Sequence, residues 1–154
     1  TYALGGLSAG NATDTLLKTD TIECSNACIK ALRATPLALV AAPGADYFVE
    51  MVSLVLILDY GTNVLTESAD NLVVQYNTTG TDITASIEMT GFIDAAADTV
   101  ALVLPAGIAT TGATNAVNRA VELFNTGDGE FAGNAANDTT LTIKFTYRRH
   151  KAGL

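Results

Sequence analysis

The strongest constraint on the fold lies at residues 141–148, where Leu141, Ile143, Phe145 and Tyr147 alternate with Thr142, Lys144, Thr146 and Arg148. A two-residue period belongs to a β-strand with one face in a core and the other in water, and β-branched and aromatic side chains pack well on such a surface. A strand of this kind must bury its apolar face against a second layer, so the chain is committed to a sheet packed on something else.

The same period recurs upstream. Residues 37–40 form a short apolar strand closed by a turn at 42–46, and residues 47–60 form a long one rich in Val, Leu and Ile. Strict alternation places Phe48, Val52, Leu54, Leu56 and Leu58 on one face and Val49, Met51, Val55 and Ile57 on the other. Both faces are apolar, which suits a central strand or one covered by a neighbouring subunit. Residues 72–76 follow, then a half-buried strand in which Ile83, Ala85, Ile87 and Met89 alternate with Thr84, Ser86 and Glu88. Val100, Leu102 and Leu104 alternate again. Residues 116–124 fit either a helix face or a strand and are assigned to a strand, ending at Asp128-Gly129, a preferred pair for a tight hairpin. One short helix of two or three turns is expected after a cap at Ser25 or Asp20, with Cys28, Ile29 and Leu32 at helical spacing and an end before Thr35-Pro36. The expected architecture is mainly β: an antiparallel two-sheet sandwich of jelly-roll or Greek-key type, with residues 1–24 as an extended N-terminal arm and residues 25–154 as a single β-sandwich domain.

At 154 residues the chain is long enough for one good core. Eight Lys plus Arg stand against sixteen Asp plus Glu, a net charge of −8, which argues against a nucleic-acid partner because phosphate binding needs clustered positive charge. No apolar run approaches the roughly 20 residues of a membrane span. No basic flank precedes an apolar core as in a signal peptide, and Thr1 as first residue fits loss of an initiator Met. Cys24 and Cys28 are four apart; if the segment is helical they share one face with their Cβ vectors pointing the same way, so they are expected as reduced, partly buried thiols, with an interchain or local disulfide as the alternative. His150 is the only histidine, too few ligands for zinc.

Gly6-Leu7-Ser8-Ala9-Gly10 matches the Gly-x-Ser-x-Gly nucleophile pattern, but no apolar strand precedes it to hold the serine on a strained turn. Asp94 with Asp98, and Asp128 with Glu130, are the nearest carboxylate pairs, and both fall in turns where acidic residues are expected for turn chemistry. Asn125, Asp128 and Glu130 lack the spacing of an EF-hand loop. These readings leave no catalytic residue, no cofactor and no metal, and a protein that is not an enzyme.

Ile29-Lys-Ala-Leu-Arg-Ala-Thr-Pro-Leu-Ala-Leu-Val-Ala-Ala-Pro-Gly44, Leu58-Asp-Tyr-Gly61, Asn71-Leu-Val-Val-Gln-Tyr76, Val117-Asn-Arg-Ala-Val-Glu-Leu123 and Leu141-Thr-Ile-Lys-Phe-Thr-Tyr-Arg148 together resemble small virion proteins of tailed bacteriophages, more specifically the head decoration or cement class. The resemblance implies a β-sandwich made in the host cytoplasm that assembles as a homotrimer on the outer surface of the capsid and clamps neighbouring copies of the major capsid protein. The arm, through Leu4, Leu7, Leu16 and Leu17, is the expected grip on the shell. Arg148 and Arg149, beside His150 and Lys151, form a basic tip suited to an acidic surface of another subunit. The alternative is a tail or fibre domain that recognises a host glycan through loops near Asp94 or Asp128.

Overall fold

The computed structural model describes residues 16–107 and 112–153. Its strands are β1 (Lys18–Cys24), β2 (Leu37–Val40), β3 (Tyr47–Asp59), β4 (Leu65–Thr66), β5 (Leu72–Tyr76), β6 (Thr81–Asp82), β7 (Thr99–Val103), β8 (Val121–Asn125), β9 (Ala132–Gly133) and β10 (Thr140–Lys151), with single-turn helices α1 (Asn26–Ile29) and α2 (Ala113–Ala116). In β10 the alternation seen in the sequence is realised: Leu141, Ile143, Phe145 and Tyr147 are buried and Lys144 and Arg148 are exposed.

Eight of these strands pair in a nested order. β1 lies on β10, β2 on β8, β3 on β7 and β5 on β6, all antiparallel. This is one long hairpin rolled over on itself, the winding of a jelly roll. Two further pairings, β10 with β3 and β5 with β8, join the nested pairs into two four-stranded sheets, β1-β10-β3-β7 and β2-β8-β5-β6, while β4 and β9 form a small separate ladder. The mainly β, two-sheet architecture expected from the sequence is therefore present. Leu54, Leu56, Leu58, Ile143 and Phe145 from one sheet meet Leu72, Val74, Val121 and Leu123 from the other in a single core, each burial contributing about 1.5–3 kcal/mol. Tyr76 ties the layers by donating its hydroxyl to the Val49 carbonyl at 2.6 Å.

Several local expectations are corrected. Strict alternation along β3 fails because the ladder with β10 slips between Thr146 and Tyr147: Thr146 faces Ser53 whereas Tyr147 faces Met51. Val52 is the extra residue of a β-bulge, which reverses the strand's phase. Val49 and Met51 before it and Leu54, Leu56 and Leu58 after it all point into the core. Residues 83–89 are not a regular strand, since the Val74 carbonyl accepts from both Ile83 and Thr84, and the Thr84 hydroxyl replaces a ladder acceptor for the Val74 N–H at 3.0 Å. Only the isolated bridge from Ile87 to Leu72 remains, and the segment turns so that Met89, Phe92 and Ile93 fill the core.

The first helix is one turn, because the Arg33 and Ala34 N–H groups donate to the Glu130 carboxylate at 3.0 and 2.7 Å instead of to helix carbonyls. Ser25 is its cap, accepting from the Cys28 N–H. In 116–124 the strand begins only at Val121, after α2 and a left-handed Asn118 whose N–H donates to the Tyr47 carbonyl. Asp128-Gly129 does not close a hairpin, for β9 departs to pair with β4. Lys18–Cys24, assigned to the arm, is an edge strand of the first sheet. Its last residue, Cys24, forms a disulfide with Cys28 across a Cα–Cα distance of 5.3 Å. The expectation of free thiols assumed both on one helix; with Cys24 in a strand and Cys28 in the following helix, the side chains converge.

The loops at one end of the sandwich are gathered by Asn134, which is buried with a left-handed φ of 40°. Its Oδ1 accepts from Asn26 Nδ2 at 3.0 Å, from the Asp138 N–H at 2.9 Å and from the Thr139 N–H at 3.4 Å. Its Nδ2 donates to the Asn63 carbonyl, to Asp138 Oδ1 and to Thr139 Oγ1.

Candidate functional site

Among the described residues no cluster of reactive groups stands out, so the candidate site is a surface. Leu16 and Leu17 are exposed and lead directly into Lys18, which lines a groove of about 370 Å³ between the β1–β10 side of one sheet and β2 of the other. Leu39, Pro43 and Val49 give the groove an apolar floor, and Asp20, Tyr147 and Arg149 give it polar walls. The Tyr147 hydroxyl donates to Asp20 Oδ2 at 3.0 Å. Burial, and then the hydrogen bond and charge of Asp20, push the Tyr147 pKa above its ordinary value. The Arg149 guanidinium stacks over the Tyr47 ring, 3.9 Å from its centroid, a cation–π contact.

The expected basic tip is divided by the strand that carries it. Successive side chains of β10 point to opposite faces, so Arg149 lines the groove while Arg148 lies on the outer face, 4.0 Å from Glu50 Oε2. His150 Nε2 is 2.7 Å from the same carboxylate, and its ring stacks on Phe48. The predicted contact residues thus fall in two places: Leu16, Leu17 and Arg149 beside the groove, and Arg148 across the sheet from it. Leu4 and Leu7 lie outside the described residues, as does Ser8.

A second surface was missed from the sequence. On the outer face of the first sheet Leu102 stands opposite Val55 and Val100 opposite Ile57. Val100, Leu102 and Leu104 are 58%, 79% and 72% exposed. These residues read as the apolar half of an ordinary alternation, yet Ala101 and Val103 are the pair facing the core. Both alternating sets in β7 are apolar, so only the register with β3 tells which set is wet. The margin is uncharged: no Asp, Glu, Lys or Arg occurs from residue 99 to 107.

Asp94, Asp98 and Glu130, singled out in the sequence, are engaged in loops and turns. Asp94 accepts from the Gly91 N–H and Asp98 from the Tyr60 N–H. Glu130 holds the end of the helical segment as described, and Asn125 spends both side-chain atoms on its own loop, at the Gly127 N–H and the Gly129 carbonyl. Among the described residues no group of three or more His, Cys, Asp and Glu side chains is placed to hold a metal. No helix among them is long and apolar enough to cross a membrane. No family model, curated protein or solved structure matches the chain.

Proposed function

We propose that the chain is a virion structural subunit of the capsid-decoration or cement kind. It binds the outer surface of the major capsid shell, stabilises that shell and associates with its own copies, the resemblance implying three. The observation that carries this reading is the exposed apolar surface of an otherwise acidic jelly roll: Leu16 and Leu17 ahead of the groove, and the uncharged β7 margin. Apolar patches on soluble domains mark surfaces that are covered in the working state. Jelly rolls serve viral capsids as well as lectins and cupins, so the fold supports the reading by analogy only. The phage-like strand and turn segments supply the rest.

The test is co-sedimentation of the purified chain with undecorated phage heads, comparing the full sequence with a version lacking residues 1–15. Saturable binding of the full chain in hundreds of copies per head, greatly weakened by the truncation, is expected. Absence of binding by the full chain, together with retention on a glycan array, would replace this reading with the fibre-domain alternative.

A further inference from the structure

The two edges of the first sheet are built differently. β1 carries Lys18, Asp20 and Glu23, whereas β7 is Thr99-Val-Ala-Leu-Val103 with no charge. Natural sheets guard exposed edges with charges, proline or bulges, because a bare edge offers unpaired N–H and C=O groups to any other strand. Among the described residues β1 is guarded in this way and β7 is not. β7 also overhangs the sandwich, since its inward-facing Thr99, Ala101 and Val103 are only half-buried.

We propose that β7 is a self-pairing edge, joining two copies of the chain in an antiparallel, two-fold contact centred on Ala101. This register sets Val100 against Leu102 of the second copy and Thr99 against Val103. Val55 and Ile57 extend the resulting apolar stripe on each side. Three features favour a second copy as occupant. The strand complements itself under the two-fold operation, with its smallest side chain on the axis. The contact brings no like charges together, although each chain carries −8. An isologous contact of this kind also closes at two copies, and it covers the uncharged edge of the first sheet on each of them. The inference rests on the self-association part of the proposed function but sets the count in solution at two where the resemblance implies three, and it is tested without capsids so that the two can fail separately.

The experiment is sedimentation equilibrium of the full chain over a dilution series, with Val100→Lys, Leu102→Asp and the double variant. Both side chains are more than half exposed, so circular dichroism should be unchanged throughout. The parent should have twice the mass of one chain. Each single variant should run at one chain, because it sets a lone charge against an apolar partner. The double variant should recover the pair, because the ammonium introduced on one copy then faces the carboxylate introduced on the other. A parent that is a single chain at every concentration overturns the proposal. So does a trimer, which a two-fold contact cannot build, or a pair that survives the single changes. If the parent is a single chain and Leu102→Asp abolishes head binding, the edge belongs to the shell protein instead.

Discussion

Replacing Asn134 with alanine tests whether one buried amide holds the loop end of the sandwich together. The variant removes an acceptor for Asn26 and for the Asp138 and Thr139 N–H groups, and a donor to Asn63, Asp138 and Thr139. Asn63 and Asp138 are exposed, so water replaces what they lose. Asn26 and Thr139 are 3% and 1% exposed; Asn26 Nδ2 keeps only the Thr139 carbonyl at 3.4 Å, Thr139 Oγ1 keeps the Gly61 N–H, and the Thr139 N–H is left without its partner. Orphaning a buried polar group costs about 1–3 kcal/mol, so the Thr139 N–H together with the weakened Asn26 amide costs about 2–4 kcal/mol. Alanine at a φ of 40° adds about 1 kcal/mol that asparagine largely avoids. The sum is about 3–5 kcal/mol, and at about 2–4 °C per kcal/mol for a domain of this size the melting midpoint should fall by about 10 °C. Thermal and urea unfolding followed by circular dichroism measure it, with an unchanged urea slope showing that the same surface unfolds. Asn134→Gly separates the two contributions: it relieves the backbone but restores no hydrogen bond, so it should recover only about 1 kcal/mol. A loss below about 1 kcal/mol for the alanine variant, or a glycine variant as stable as the parent, would refute the role given to the amide.

The Cys24–Cys28 disulfide closes a very short loop, for which the chain-entropy relation gives about 2 kcal/mol. Cys24→Ser should lose about that much stability, and thiol titration of the folded protein should find no reactive thiol before reduction; two reactive thiols in the untreated protein would contradict the pairing. The Asp138 carboxylate is held below the usual range by hydrogen bonds from Thr62 and Asn134. Its folded pKa therefore lies below the unfolded one, so its contribution is present above the unfolded pKa and lost as pH falls through the folded pKa. Asp138→Asn should flatten the acid side of the melting temperature against pH, and an unaltered profile would remove Asp138 from the acid response.

How much of this could be read from the sequence depends on whether a strand keeps one phase. β10 keeps its phase from Leu141 to Tyr147 and was legible residue by residue. β3 contains two phases, and reading it as one spread its core residues over both faces; nothing in the side chains of Met51, Val52 and Ser53 marks a bulge, which arises from pairing with a strand far along the chain. The segment after Thr81 misled in the opposite way. Its clean alternation promised a regular strand, but Thr84 uses its hydroxyl in place of a backbone partner. The error at Cys24 followed from the arm boundary: once a residue is placed outside the sheet, its neighbour at four residues is judged by helix geometry. For the surface, the apolar character of Leu16, Leu17 and β7 was plain, but their exposure depends on register and on edge position, which are tertiary properties. Arg148 and Arg149 were legible as a charge cluster and not as opposite faces of a strand.

The nested winding also sets an order of events in time. β10 lies between β1 and β3 at the centre of its sheet, and Lys18 of β1 pairs with Tyr147 of β10. Contacts between such distant parts of a chain are slow to form, because a long loop must close before any of them is made. During synthesis β1 and β3 wait without the strand that will join them, and Leu54, Leu56 and Leu58 have only part of their eventual cover. The vulnerable period for aggregation therefore runs until residues 140–151 have emerged and docked. A tag or truncation at these residues acts on the middle of a sheet, although in sequence it looks like a change at the margin.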